Sequence, residues 1–144
     1  MATTTLTYHP HISPPIDEVG VMERVSRLTK RSIKKESKLA ALKMAMSMID
    51  LTTLEARDTP GKVRQLCAKA RRPHEAMADV PSVAAVCVYP NMIGFAKKAL
   101  EGTKIHLASV ATAFPSGMSN LKFKLEETRW AVDEGADEID MVIS

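Results

Sequence analysis

The sequence contains only two cysteines, Cys67 and Cys87, and both are set in apolar segments, so a disulfide framework is excluded. They read as reduced thiols, which sets the expectation of a soluble cytoplasmic protein. No apolar run approaches the ~20 residues that a membrane helix needs. The first twenty residues lack the basic stretch followed by an apolar stretch that marks a secretory signal. No membrane association is therefore expected. An excess of one charge is missing too: 20 basic residues against 17 acidic ones leave a net charge of +3, which gives no electrostatic case for nucleic acid. None of the six glycines forms a G-x-G-x-x-G turn after an apolar run, which weighs against a dinucleotide fold. What is present is a chain of 144 residues, 45% hydrophobic and 26% charged. That is the composition of one globular domain, which buries about two thirds of the surface of its unfolded chain.

Residues 1–20 are rich in Thr, His and Pro without a hydrophobic period, and read as a mobile amino-terminal arm. From Val21 to about Met46 a helical pattern follows, with Val21, Val25, Leu28, Ile33, Leu39, Leu42 and Ala45 spaced three to six residues apart. The basic residues Lys30, Arg31, Lys34, Lys35 and Lys38 lie within it. With no aromatics or glycines among them, they read as the solvated face of a terminal helix rather than a phosphate-binding stripe.

From there strands and helices alternate. Met46 to Leu54 reads as a strand. Asp58-Thr59-Pro60 opens a helix whose Val63, Leu66, Cys67 and Ala70 form one buried face. Val83 to Tyr89 is almost wholly apolar, as a parallel strand covered on both faces must be. A short helix from about Met92 to Glu101 leads to a third strand, Ile105 to Phe114. Ser119 or Asn120 caps another helix, with Leu121, Leu125, Thr128 and Val132 as its expected inner face and Gly135 at its end. Glu138 to Ser144 is a fourth strand. Four repeats of strand and helix predict an α/β protein with a parallel sheet, either doubly wound or a (β/α)8 barrel. With about 250 residues needed for a full barrel, the expectation is an incomplete barrel of about four parallel strands over residues 21–144, preceded by an extra helix.

Two carboxylates stand out by position. Asp50 lies between Ile49 and Leu51, and Asp140 between Ile139 and Met141. Because strand residues alternate between faces, aliphatic neighbours that face the helices would turn both aspartates toward the barrel interior. A buried carboxylate needs a cation, donors or a catalytic reason to be there. Every lysine but Lys104 falls in a predicted helix, and Lys104 enters its strand at the wrong end, so the cationic partner is missing. Cys87 shares a face with Val83, Ala85 and Tyr89, and without a neighbouring base it reads as a small buried hydrophobe rather than a nucleophile. His106 lies at the amino end of its strand, and no set of ligands at a suitable spacing points to a metal or other cofactor. Thr52, Thr53 and Thr112, near strand ends, carry hydroxyls suited to a polar substrate but are equally explained by β-propensity.

The segments Ile49-Asp50-Leu51-Thr52-Thr53-Leu54, Ala84 to Pro90, Ala108 to Gly117 and Gly135 to Ile143 resemble deoxyribose-phosphate aldolase, in order and in spacing. The likeness runs from about Lys38 to Ser144, and the longer amino-terminal extension is similar to the eukaryotic branch. The resemblance implies a TIM barrel and a class I, metal-free lyase of deoxyribonucleotide catabolism. Such an enzyme reversibly cleaves 2-deoxy-D-ribose 5-phosphate to acetaldehyde and D-glyceraldehyde 3-phosphate through a lysine Schiff base. It implies catalytic roles for Asp140 and Asp50, and substrate-lining roles for Thr52, Leu54, Cys87 and Phe114. In the family the Schiff-base lysine, the lysine that lowers its pKa and the phosphate site lie on later strands. The expectation is thus an amino-terminal half that is inactive alone, with unpaired edges that favour a homo-oligomer. The alternative expectation is a non-catalytic half-barrel that binds or regulates a full-length aldolase.

Overall fold

A computed structural model describes residues 15–143. The chain divides between Lys35 and Glu36 into two compact units. In the first, Asp17 caps helix α1 (Glu18–Thr29), its carboxylate accepting from the Gly20 amide at 3.0 Å. The helix therefore starts inside the segment expected to be an arm. Residues 1–14 of that segment lie outside the described residues. Helix α2 (Lys35–Met46), which apart from Lys35 belongs to the second unit, follows, so the single helix expected over 21–46 is two helices parted at residues 30–34, and Lys35, just after the break, takes a left-handed φ of 49°. The basic run spans this break and is not one helical face. Neither helix contains a buried residue.

In the second unit four strands form one parallel sheet in the order β1 (Asp50–Thr52), β2 (Ala85–Val88), β3 (His106–Ala111) and β4 (Glu138–Met141). Three helices alternate with them: α3 (Pro60–Arg71), α4 (Ile93–Leu100) and α5 (Leu121–Glu134). Strand order that follows chain order is the winding of a (β/α) barrel, whereas a doubly wound sheet reverses direction part-way. The architecture is an open, incomplete α/β barrel.

The registers fix which residues share a face. Leu51 pairs Val86, Val86 pairs Leu107, and Ser109 pairs Ile139. Leu51, Val86, Val88, Leu107 and Ile139 join Val63, Cys67 and Ala70 of α3 and Ile93, Ala96 and Leu100 of α4 in the main core. This is the helix-facing side. The inner face of α3 is as expected because Thr59 caps the helix, accepting from the Lys62 amide, and Pro60 fits its first turn.

Helix α5 differs. Leu121, Leu125 and Val132, expected to face inward, are 70%, 45% and 51% exposed, while Lys124 and Ala131 are buried. Its apolar residues fall on two opposite sides, Leu121, Leu125 and Val132 on one and Phe123 and Trp130 on the other, so hydropathy does not by itself choose the inward side. Asn120 caps the helix start, accepting from the Lys122 amide at 2.8 Å, and Glu127 ties one side of the helix to the β3 loop by accepting from the Ala113 amide at 2.8 Å. The first strand is also shorter than the Met46–Leu54 run expected, because α2 continues through Met46 and Thr53 turns its hydroxyl to Asp58 at 3.0 Å.

Candidate active site

The other face of the sheet is concave and carries a second, smaller apolar cluster: Ala85, Cys87, Ala108 and Val110, with Leu54, Tyr89 and Phe114 packed against it. Asp50 is the register partner of Ala85, Thr52 of Cys87, and Asp140 of Val110. Neighbours across a sheet point to one side, so Asp50, Thr52, Cys87 and Asp140 share this face. The six candidate site residues named from the sequence lie on this face or against its apolar cluster, with Asp50 and Asp140 on opposite edge strands. Thr52 and the two acids stay exposed, Leu54 and Phe114 are half-buried, and Cys87 is buried. The acids are not desolvated as the sequence argument supposed, because water reaches the concave side.

The electrostatics centre on Cys87. Burial first, then the negative charges of Asp140 and Asp50, push its thiol up to about 11, against the opposing hydrogen bonds of Thr52 and Val110. A thiol so placed stays protonated near neutrality and is no nucleophile. Thr52 returns its hydroxyl to the Asp50 carbonyl oxygen at 3.0 Å. Cys67 lies in the main core, where burial raises its pKa, so both cysteines are free thiols without nucleophilic poise.

Loops at the carboxyl ends of the strands frame the site. After β1, the Thr53 amide still donates to the Cys87 carbonyl at 3.1 Å. Asp58 then gathers the loop, accepting from the Thr53 hydroxyl, the Glu55 amide (3.0 Å each) and the Lys62 ammonium (2.6 Å). In the sequence Asp58 stands out only as part of the Asp58-Thr59-Pro60 helix start. The Asp58–Lys62 spacing of four residues was the available signal. After β3, Thr112 and Ala113 both adopt left-handed conformations, with φ of 66° and 60°. For a β-branched residue that conformation costs on the order of 1–3 kcal/mol and persists only when its surroundings enforce it. The hydroxyls of Thr53 and Thr112, weighed as substrate ligands, are both engaged in holding backbone and loop.

At the opposite end of the sheet, His106 Nδ1 lies 2.6 Å from Glu138 Oε1, away from the concave acids. Among the described residues no cluster of three or more His, Cys, Asp or Glu side chains is placed to hold a metal. Every lysine lies in a helix or a connecting segment and none in a strand. No helix of the described residues is long and apolar enough to cross a membrane.

No family model matches the chain. Among curated proteins it is 45% identical to deoxyribose-phosphate aldolase of Mus musculus and 41% identical to that of Homo sapiens, each match covering 90% of this chain and 44% of the relative. The chain is similar in sequence to part of the deoxyribose-phosphate aldolases. It spans less than half the length of the curated relatives it matches. Among solved structures, the tetrameric deoxyribose phosphate aldolase of Aeropyrum pernix superposes with a TM-score of 0.58 at 27% identity, over 69% of this chain and 38% of that one. A candidate deoxyribose-phosphate aldolase from Coccidioides immitis superposes with a TM-score of 0.63 over 89% of this chain and 48% of that one, and at 24% identity it supports the fold alone.

Proposed function

We propose that this segment provides the carboxylate side of a class I aldolase site acting on 2-deoxy-D-ribose 5-phosphate. The observation that carries the reading is that Asp50 of β1 and Asp140 of β4 share the face that holds Cys87 and that both charges act on its thiol. In a class I reaction a lysine amine forms a C–N bond to the aldehyde carbon, and the resulting carbinolamine loses water to give an iminium ion. Asp140 serves as the acid and base that protonates the departing hydroxyl and takes up the proton shed by the amine. Cleavage of the C2–C3 bond then sends its electron pair into the iminium, and the C3 hydroxyl proton passes to the base. Asp50 supports this network from the opposite edge. Thr52, Leu54, Cys87 and Phe114 form the wall along the sugar, with the Cys87 thiol a neutral neighbour.

No lysine in a strand of the described residues offers the amine, so the segment works with groups outside them and is inactive by itself. The two free thiols and the substrate class support a place in deoxyribonucleotide catabolism in the cytoplasm. The experiment combines the 144-residue chain with the carboxyl-terminal half of the Mus musculus relative and follows glyceraldehyde 3-phosphate release from 2-deoxy-D-ribose 5-phosphate. Turnover that requires both pieces and falls by 10²-fold or more in Asp140→Asn supports the reading. Turnover that Asp140→Asn leaves intact overturns it. A second reading, a non-catalytic half-barrel that docks on a full-length aldolase, is favoured by the edge positions of β1 and β4 in the sheet. It predicts co-purification with the full-length enzyme and no turnover in the mixture of halves.

A further inference from the structure

The β3–β4 ladder ends with Ala111 opposite Met141, and the next rung would pair Thr112 with Val142. The Thr112 backbone turns away into its left-handed conformation, and its side chain takes the place of the missing rung. The Thr112 hydroxyl donates to the Val142 carbonyl at 2.8 Å and accepts from the Val142 amide at 2.6 Å. One hydroxyl thus satisfies both polar groups of one peptide unit pair, as a strand neighbour would. Two further contacts hold the arrangement. Glu127 accepts from the Ala113 amide, fixing the second left-handed residue, and Gly117 lies so close to Val142 that a Cβ there would meet Val142 Cγ1 at 3.0 Å. Asp140 sits in the last rung but one, opposite Val110, two residues before Val142.

We propose that Thr112 is a positioning residue for Asp140: by clasping Val142 it fixes the carboxyl end of β4, and so the direction in which the Asp140 carboxylate enters the concave face. The role rests on the reading of Asp140 given above. It accounts for a β-branched residue at positive φ, where the hydroxyl has a task that glycine could not perform.

Cys87 reports on it, because its thiol feels the Asp140 charge. The experiment measures the pH dependence of Cys87 alkylation by iodoacetamide, read on the Cys87 peptide by mass spectrometry, in four variants of the 144-residue chain. Thr112→Gly removes the hydroxyl while suiting the left-handed backbone. Thr112→Ser keeps the hydroxyl. Asp140→Asn removes the charge, and the fourth variant combines Thr112→Gly with Asp140→Asn. We expect Thr112→Gly to lower the apparent pKa of Cys87, raising alkylation at pH 9 about threefold or more for a drop of half a unit, with Thr112→Ser unchanged. We expect no further effect of Thr112→Gly once Asp140 is Asn. A Thr112→Gly effect that persists in the Asp140→Asn background, or no effect at all while Asp140→Asn alone lowers the pKa, overturns the positioning role. No change in Asp140→Asn itself overturns the placement of Asp140 beside Cys87, and with it the site reading.

Discussion

Cys87 and Asp140 address the same face of the sheet from β2 and β4, with β3 between them, and the Asp140 charge helps to hold the Cys87 thiol at about 11. An unfolded chain has no such neighbour, and there the thiol ionises near its ordinary value of 9.0. Between pH 9 and about 11 the unfolded state therefore binds fewer protons than the folded one, and stability falls as pH rises. Thermal melts across that window should decline more steeply for the native chain than for Cys87→Ala. Equal slopes would show that the thiol is not shielded and repelled as described.

Asp58 gives the opposite sign. Burial raises its pKa, but the Lys62 ammonium, the Glu55 amide and the Thr53 hydroxyl outweigh that and hold the carboxyl below its ordinary range. Its contribution is complete above the unfolded value near 3.8 and is lost as pH falls through the folded one. Its side chain is only 4% exposed, so Asp58→Ala leaves donors without an acceptor and should cost about 1–3 kcal/mol at pH 7. Denaturant unfolding measures this, and a loss under ~0.5 kcal/mol would remove Asp58 as the organiser of the loop.

The alternation of strand and helix was legible in the sequence because parallel strands covered on both sides must be apolar, as Val83 to Tyr89 is, and because Thr59-Pro60 and Gly135 mark helix ends by local chemistry. The shared face of Asp50 and Asp140 was legible for the same reason, since side chains alternate along a strand. The rotation of α5 was not legible. Its apolar residues fall on two opposite sides, and the tie of Glu127 to the Ala113 amide across a loop has no local signature. The break between α1 and α2 also escaped, because no proline or glycine marks residues 30–34. The clasp of Thr112 on Val142 joins residues thirty positions apart and follows from a backbone conformation that β-branched residues seldom adopt.

Packing makes a further test. Ile93 is fully buried between α4 and the helix-facing side of the sheet, so Ile93→Ala should destabilise the chain by about 2–5 kcal/mol. Leu125→Ala, on the exposed side of α5, should cost less than about 1 kcal/mol. Urea titrations of the two variants compare them directly, and a reversed order would show that α5 packs by its Leu121–Leu125 side after all.

Gly117 probes the turn after β3. It combines a φ of 68° with close approach to Val142, so Gly117→Ala meets both backbone strain and a tight contact. A destabilisation of about 1 kcal/mol or more is expected, against the small gain that Gly→Ala gives at ordinary backbone angles. Circular-dichroism melts decide between the two signs.

The central claim is that two carboxylates are set to work with an amine that residues 15–143 do not place beside them. Borohydride reduction of the 144-residue chain in the presence of 2-deoxy-D-ribose 5-phosphate, followed by intact-mass measurement, tests it most directly. The account predicts an unchanged mass for the chain alone, and a trapped adduct only on the complementary carboxyl-terminal half when the two are combined. A substrate-dependent adduct on a lysine of this chain would contradict it.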